Sequence, residues 1–193
     1  GCELAMDDLG SGYSSLLRLT SVPFDTIKID QGLLMRIRDN PLETLGLMVT
    51  IIQMGRDLRR DVVVEGLEDA GMIEAALLLG AQYGQGFGLA KPMPPDQVVT
   101  WRASIQASAD PFRIRTYLGA LAYSWLRMRG EAQGQSLAPH PVADFLRRRG
   151  LHTSPAAQWH AQVHSNPGDL DTARKLLDWF VAQVQKEGPH GDA

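Results

Sequence analysis

Four short apolar runs lie within the first hundred residues, each ending in polar or acidic residues, with helix-period stretches between them. Glu3-Leu4-Ala5-Met6 leads into Asp7-Asp8 and a Gly-Ser-Gly turn. Residues 24–30 (Phe-Asp-Thr-Ile-Lys-Ile-Asp) alternate with the period of two that marks a half-buried strand. Residues 61–66 (Asp-Val-Val-Val-Glu-Gly) form an apolar run with a glycine stop, and residues 81–87 are a weaker fourth strand candidate. Between them, residues 41–60 place Leu45, Met48, Val49 and Ile52 at helical spacing, and residues 69–79 read as a second helix. Pro95 suits the first turn of another, with Val98, Val99 and Trp101 following. Strand and helix alternating at this spacing predict an α/β fold with a parallel sheet. Four such units make up about half of an eight-unit barrel, for which ~250 residues is typical, and the polar residues sit at the strand ends where such barrels do chemistry. A half barrel would leave two open sheet edges, which predicts partial unfolding, domain exchange or aggregation.

After Trp101 the pattern is helical. Ile114, Leu118, Leu121, Trp125 and Met128 mark one apolar face, and Ala173, Leu176, Leu177, Phe180, Val181 and Val184 another. Residues 130–141 read as a linker, residues 140–149 and 155–164 as shorter helices, the latter with Ser154 as N-cap and Pro155 at its first position, and residues 188–193 as a fraying end. Charge changes at the same place: residues 1–101 hold 8 Lys and Arg against 14 Asp and Glu, residues 102–193 hold 11 against 8. The expected organisation is therefore an α/β segment over 1–101 and a small all-α domain over 102–193. An acidic first segment suits carboxylate binding of divalent metal and is a poor match for DNA. Cys2 is the single cysteine, so no internal disulfide forms, and no apolar run approaches the ~20 residues that span a bilayer. A cytoplasmic protein, or the cytoplasmic part of a larger one, is expected.

The chemistry concentrates at the strand ends. Asp7 and Asp8 are adjacent carboxylates that repel unless a cation lies beside them. Side chains of consecutive strand residues diverge, so the pair can serve two metal positions about 3.5–4 Å apart, as two-metal hydrolases require. An acidic turn capping a following helix explains the same residues. Lys28, between Ile27 and Ile29, can neutralise a phosphate as a fixed charge, or can be an ordinary surface lysine. Glu65 ends the valine run and is a candidate general base, or a loop cap. Gln85-Gly86 adds a neutral hydrogen-bonding side chain and a flexible backbone.

Residues 7–16 (Asp-Asp-Leu-Gly-Ser-Gly-Tyr-Ser-Ser-Leu) resemble the loop of EAL-domain cyclic di-GMP phosphodiesterases, usually written DDFGTGYSSL. Residues 24–30 resemble their V-D-x-L-K-I-D strand. Residues 62–68 resemble V-V-A-E-G-V-E, and residues 83–92 resemble Y-x-Q-G-[YF]-x-x-x-[KR]-P. The resemblance implies a TIM-like (β/α)8 barrel of which residues 1–101 are the C-terminal part. It implies hydrolysis of cyclic di-GMP to linear pGpG with Mg²⁺ or Mn²⁺ at a two-metal site. Asp7 and Asp8 would be metal ligands, Lys28 would contact the hydrolytic water, and Glu65 would be the base or steady the metal site. Gln85, Asp30, Gly10 and Ser11 would serve the substrate, with residues 10–15 coupling substrate, metal and a homodimer contact.

Leu9 and Ser11 are mild departures from that pattern; Gln31-Gly32 stands where Arg-Ser is common, and Val64 replaces a small alanine beside Glu65. The E-x-L strand, an asparagine and a further glutamate of the family would precede Gly1, so this chain alone is expected to be incompetent in catalysis. The alternative is a cyclic di-GMP receptor or protein-interaction module without turnover, with upstream regulatory domains as possible companions. In the second segment His160 and His164, four apart, with His140 and His152 nearby, can be a metal or haem-type sensor site. Two polar-face histidines explain the spacing more simply. Arg147, Arg148 and Arg149 read as a solvated helix end suited to the C-terminal dipole.

Overall fold

The computed structural model describes residues 1–9, 21–108, 113–130 and 140–187. Gly10, Ser11 and the rest of the loop expected to couple substrate to metal, the linker's centre and the C-terminal tail lie outside them. Four strands, β1 (Ala5–Leu9), β2 (Thr26–Ile29), β3 (Asp61–Val64) and β4 (Tyr83–Gly84), form one parallel sheet in sequence order. Ile27, Lys28 and Ile29 stand opposite Val62, Val63 and Val64, and Val64 stands opposite Gly84. Three helices follow the strands: α1 (Gln31–Met35), α2 (Pro41–Asp57) and α3 (Ala70–Leu78). This is the α/β class expected, with the parallel strands of a barrel-type sheet. The helix α1 was not foreseen; the Asp30 carboxylate caps it, accepting from Gly32 N at 2.9 Å.

The period of two decides which residues go inside. Met6, Leu9, Ile27, Ile29, Val62 and Val64 are buried on one face. There α2 covers the sheet with Leu45, Met48 and Ile52, so closely that a Cβ on Gly55 would meet Val62 Cγ2 at 2.1 Å. The opposite face carries Asp7, Lys28 and Val63 and stays open. On β2 the alternation of the sequence already separates these faces; on β3 the run Val62-Val63-Val64 does not.

The second segment contributes α4 (Pro95–Ser108), α5 (Tyr117–Met128), α6 (Pro141–Arg148), α7 (Pro155–Ser165) and α8 (Leu170–Lys186). Thr116, Ser154 and Asp169 cap α5, α7 and α8 through side-chain oxygens. The apolar face of α5 (Leu118, Leu121, Trp125) lies between α3 and α8, whose Leu176, Leu177 and Phe180 are buried against it. Met128, expected on that face, is largely exposed. One hydrophobic cluster runs from Met6 to Val184, so helices and sheet share a core. The three arginines at the end of α6 and just beyond it are tied to neighbours. Arg147 and Arg148 pair with Asp144, Arg148 also donates to Ile114 O at 2.6 Å, and Arg149 lies 5.1 Å over the Tyr117 ring. Among the described residues no helix is long and apolar enough to cross a membrane.

Polar contacts join the segments at several points, among them Gln185 Nε2 donating to Asp39 O at 3.2 Å. Arg38 donates to Asp69 at 2.7 Å and to the Glu187 carbonyl. Glu74 of α3 accepts from Arg115 N (2.7 Å), Thr116 N (2.9 Å) and the Thr116 hydroxyl, and Thr116 in turn caps α5 through Gly119 N at 2.9 Å. Burial holds the Glu74 carboxyl above its ordinary range and outweighs these donors, which favour the ionised form.

His140, at the start of α6, meets His160 of α7 with 2.9 Å between Nδ1 and Nε2. Burial first, then positive charge on neighbouring histidines and Arg127, pushes both down to about 4. The groups facing the pair are Tyr123 and Arg127 from α5 and His164 from α7, while α8 presents Ala173, Leu176 and Leu177. With folded values below the free imidazole value, the unfolded chain takes up protons first as pH falls. The stability these histidines contribute is therefore complete above about pH 6.5 and lost towards pH 4. Allowing for the half-exposed position of His140, the loss should be about 2–4 kcal/mol. Urea unfolding at pH 7 and pH 4.5, with a His140→Gln/His160→Gln double variant, checks this: the variant should lose less stability over that interval than the parent.

Candidate functional site

The C-terminal edge of the sheet gathers the residues that the sequence singles out. Leu9 stands opposite Ile29 and Ile29 opposite Val64, so Asp8, Asp30, Glu65 and Gln85 lie at or next to one level of the sheet. Backbone bonds fix this level: Asp30 N donates to Leu9 O at 3.3 Å, Glu65 N to Ile29 O at 3.1 Å, and Gln85 N to Val64 O at 2.8 Å.

A bulge sets the positions of Asp7 and Asp8. Between the paired positions Met6/Ile27 and Leu9/Ile29, β1 carries two residues and β2 only Lys28. The extra residue lets both Met6 and Leu9 return to the buried face although they are three apart. It leaves both aspartates exposed and puts Asp8 at φ 60°, a left-handed conformation that costs a non-glycine residue about 1–2 kcal/mol. Strain kept at such a position is commonly functional.

Lys28 lies between two carboxylates. Its Nζ is 2.9 Å from Asp7 Oδ1 and also bonds Glu65 Oε1. The two hydrogen bonds, that to Glu65 the stronger, raise its pKa above the ordinary lysine value, so it stays a cation. The Glu65 side chain is 17% exposed against 63% for Asp7, which makes Glu65 the shielded carboxylate and Asp7 the one open to solvent. Gly66 takes φ +73°, and a Cβ there would stand 2.6 Å from Gln31 Cβ, so only glycine lets the chain turn after Glu65 against the start of α1. Gly86 plays the same part after Gln85, where a Cβ would meet the Leu67 backbone at 2.3 Å.

Asp7, Lys28 and Glu65 thus form one contact group. Gln85 is exposed beyond β4 with its backbone engaged by Val64 and Leu67. Asp30 has one carboxylate oxygen committed to the α1 cap, a second duty that its place in the strand motif did not reveal. Phe87, which fills the aromatic position of the Q-G-[YF] motif, is exposed. Carboxylate oxygens suit Mg²⁺ or Mn²⁺ in chemistry. In number they fall short, because among the described residues no group of three His, Cys, Asp or Glu is placed to hold a metal ion.

Residues 1–92 match the EAL domain family model. The chain is 37% identical over 94 residues to the cyclic di-GMP phosphodiesterase RocR of Pseudomonas aeruginosa, a match covering 49% of this chain and 24% of RocR. It is 38% identical over 94 residues to the cyclic di-GMP phosphodiesterase PdeF of Escherichia coli, covering 49% of this chain and 12% of PdeF. Among solved structures, the EAL domain of Mycobacterium smegmatis DcpA aligns at 33% identity with a TM-score of 0.47, covering 53% of this chain and 45% of that one. The chain spans a quarter or less of the length of these two curated relatives.

Proposed function

We propose, from the premise that residues 1–92 are EAL-domain sequence, that the open face of the sheet is part of a metal-dependent site hydrolysing cyclic di-GMP to linear pGpG. The observation that carries this is Lys28 held between Asp7 and Glu65 at the strand ends. Fixed positive charge beside a shielded carboxylate is what in-line attack of water on a phosphodiester needs. Asp7 and Asp8 would hold Mg²⁺ or Mn²⁺, with the remaining ligands from outside the described carboxylates; bound there, the ions would supply Lewis-acid polarisation of the phosphoryl oxygens.

The chain's own groups would do the rest. Glu65 takes a proton from the attacking water while the new P–O bond forms and the opposite P–O bond breaks, and the departing sugar oxygen is protonated as it leaves. Lys28 orients that water and offsets negative charge gathering on the phosphoryl group. Gln85 and the uncommitted oxygen of Asp30 would contact the substrate, together with Gly10 and Ser11. Homodimer contacts, upstream regulatory domains and a cytoplasmic setting belong to the same proposal, as does a division at Trp101 into catalytic and helical parts.

The shortage of metal donors favours a second reading, a cyclic di-GMP receptor without turnover. Turnover separates the two. The 193-residue chain incubated with cyclic di-GMP and Mn²⁺ should form no pGpG above the blank. Joined at Gly1 to the upstream barrel strands of a catalytic EAL relative, it should form pGpG; a receptor would bind the nucleotide and leave it intact in both forms. Turnover by the chain alone, lost in Glu65→Ala, would mean that the donors are completed across a dimer.

A further inference from the structure

A cavity lies far along α5 from Glu74, closed by α7, α8 and the start of α6. Its empty space, about 590 Å³, includes the open solvent at its mouth. Met128, Val163, Leu176 and Leu177 give it apolar walls. Its polar lining is Tyr123, Ser124, Arg127, His140, His160 and His164, with no carboxylate. Arg127 pairs with no carboxylate among the described residues. The Ser124 hydroxyl is buried with no hydrogen-bond partner, a state that costs about 1–3 kcal/mol while nothing satisfies it.

The histidines add donors. His140 and His160 share one proton across their 2.9 Å contact. In either tautomer of the neutral pair, one ring nitrogen still carries a free N–H. His164 completes the group, with its ring centroid 4.9 Å from that of His140. The cavity therefore presents a guanidinium at its edge, a buried hydroxyl and imidazole N–H, over a hydrocarbon floor, with no acidic residue to receive them. A divalent cation would meet Arg127 as a repelling charge.

We infer that this cavity binds a small organic carboxylate with an apolar body, its carboxylate received by Arg127, Ser124 and the histidine cluster and its hydrocarbon lying on Leu176 and Leu177. The proposal does not depend on the chemistry of the sheet face. Its fit lies in the match of unsatisfied donors to acceptor oxygens and of apolar wall to apolar tail.

Isothermal titration of the whole chain with sodium octanoate at pH 7 tests it. One-site binding is expected, at least tenfold tighter than for the uncharged octanamide. Arg127→Gln should weaken octanoate binding at least fivefold without changing the melting temperature of the free chain, since Arg127 is exposed. Ser124→Ala should also weaken binding while leaving the free chain as stable or more so, because it removes a polar group that nothing satisfies. A merely structural serine would not combine those two results. Absence of binding at millimolar octanoate would overturn the inference, as would equal binding of octanamide. So would Zn²⁺ binding that is lost in His164→Ala while octanoate gives no heat.

Discussion

Lys28→Met, in a form of the protein that turns over cyclic di-GMP, should lower kcat by about 10²–10³-fold, the usual effect of removing one preorganised electrostatic group, while stability barely changes. The ammonium touches Asp7 and Glu65 at once, so its loss brings two carboxylates face to face without compensation and removes the charge that would meet the phosphoryl group. Such a pair near the surface contributes little to folding, about 0–1 kcal/mol. The split between a large activity loss and a small change in melting temperature separates a catalytic lysine from a structural one. Lys28→Arg should recover little, because a planar fork cannot place one compact charge between two carboxylates in the same way. Steady-state kinetics with a thermal melt of each variant provide the check. An equal fall of activity and stability would make Lys28 a structural residue.

Glu74→Ala should cost about 2–4 kcal/mol of stability, as expected when several donors lose one part-buried acceptor. The carboxylate receives Arg115 N, Thr116 N and the Thr116 hydroxyl, and Thr116 holds the first turn of α5. Its removal therefore unties both a cap and the joint between α3 and α5. At this chain length the melting temperature should fall by about 5–15 °C. Glu74→Gln keeps one acceptor oxygen and should cost roughly half as much. Gly119→Ala reaches the same joint from the other side, since a Cβ there would stand 2.0 Å from Glu74 Oε2. Differential scanning calorimetry of the three variants is the measurement. A Glu74→Ala protein that melts with the parent would show that the apolar contact of α3 with α5 holds the segments together without it.

Much of this arrangement is legible in the residues, for specific reasons. Alternation of Ile27 and Ile29 with Lys28 placed one face of β2 inward and the other outward, because the period of a strand is a covalent fact; the uniform run Val62-Val63-Val64 of β3 gave no such sign. Pro41 and Pro155 at helix starts, and Ser154 before the second, marked boundaries that hold to within a residue or two. Other features needed the third dimension. The β1 bulge is invisible in Met6-Asp7-Asp8-Leu9, since it appears only when β1 is paired with a strand twenty residues on. Glu74 looks like one more polar residue on an otherwise apolar helix; its value comes from Arg115 and Thr116, some forty residues away. The contact of His140 with His160 closes over α6, so the sequence could name His140 only as a neighbour of the His160 and His164 pair. The open edge expected to make the sheet fragile is matched by something the pattern did not show, the continuous core from Met6 to Val184.

The central claim is that Asp7, Lys28 and Glu65 are the working edge of a cyclic di-GMP hydrolase. The most direct test is Mn²⁺-dependent pGpG formation, followed by chromatography, by this chain joined at Gly1 to the upstream strands of a catalytic EAL relative, with Glu65→Gln as the comparison. The account predicts steady turnover by the parent and a loss of about 10²–10⁴-fold in Glu65→Gln, the range for removing a general base, with cyclic di-GMP binding kept within severalfold. Equal pGpG formation by the two proteins would contradict it.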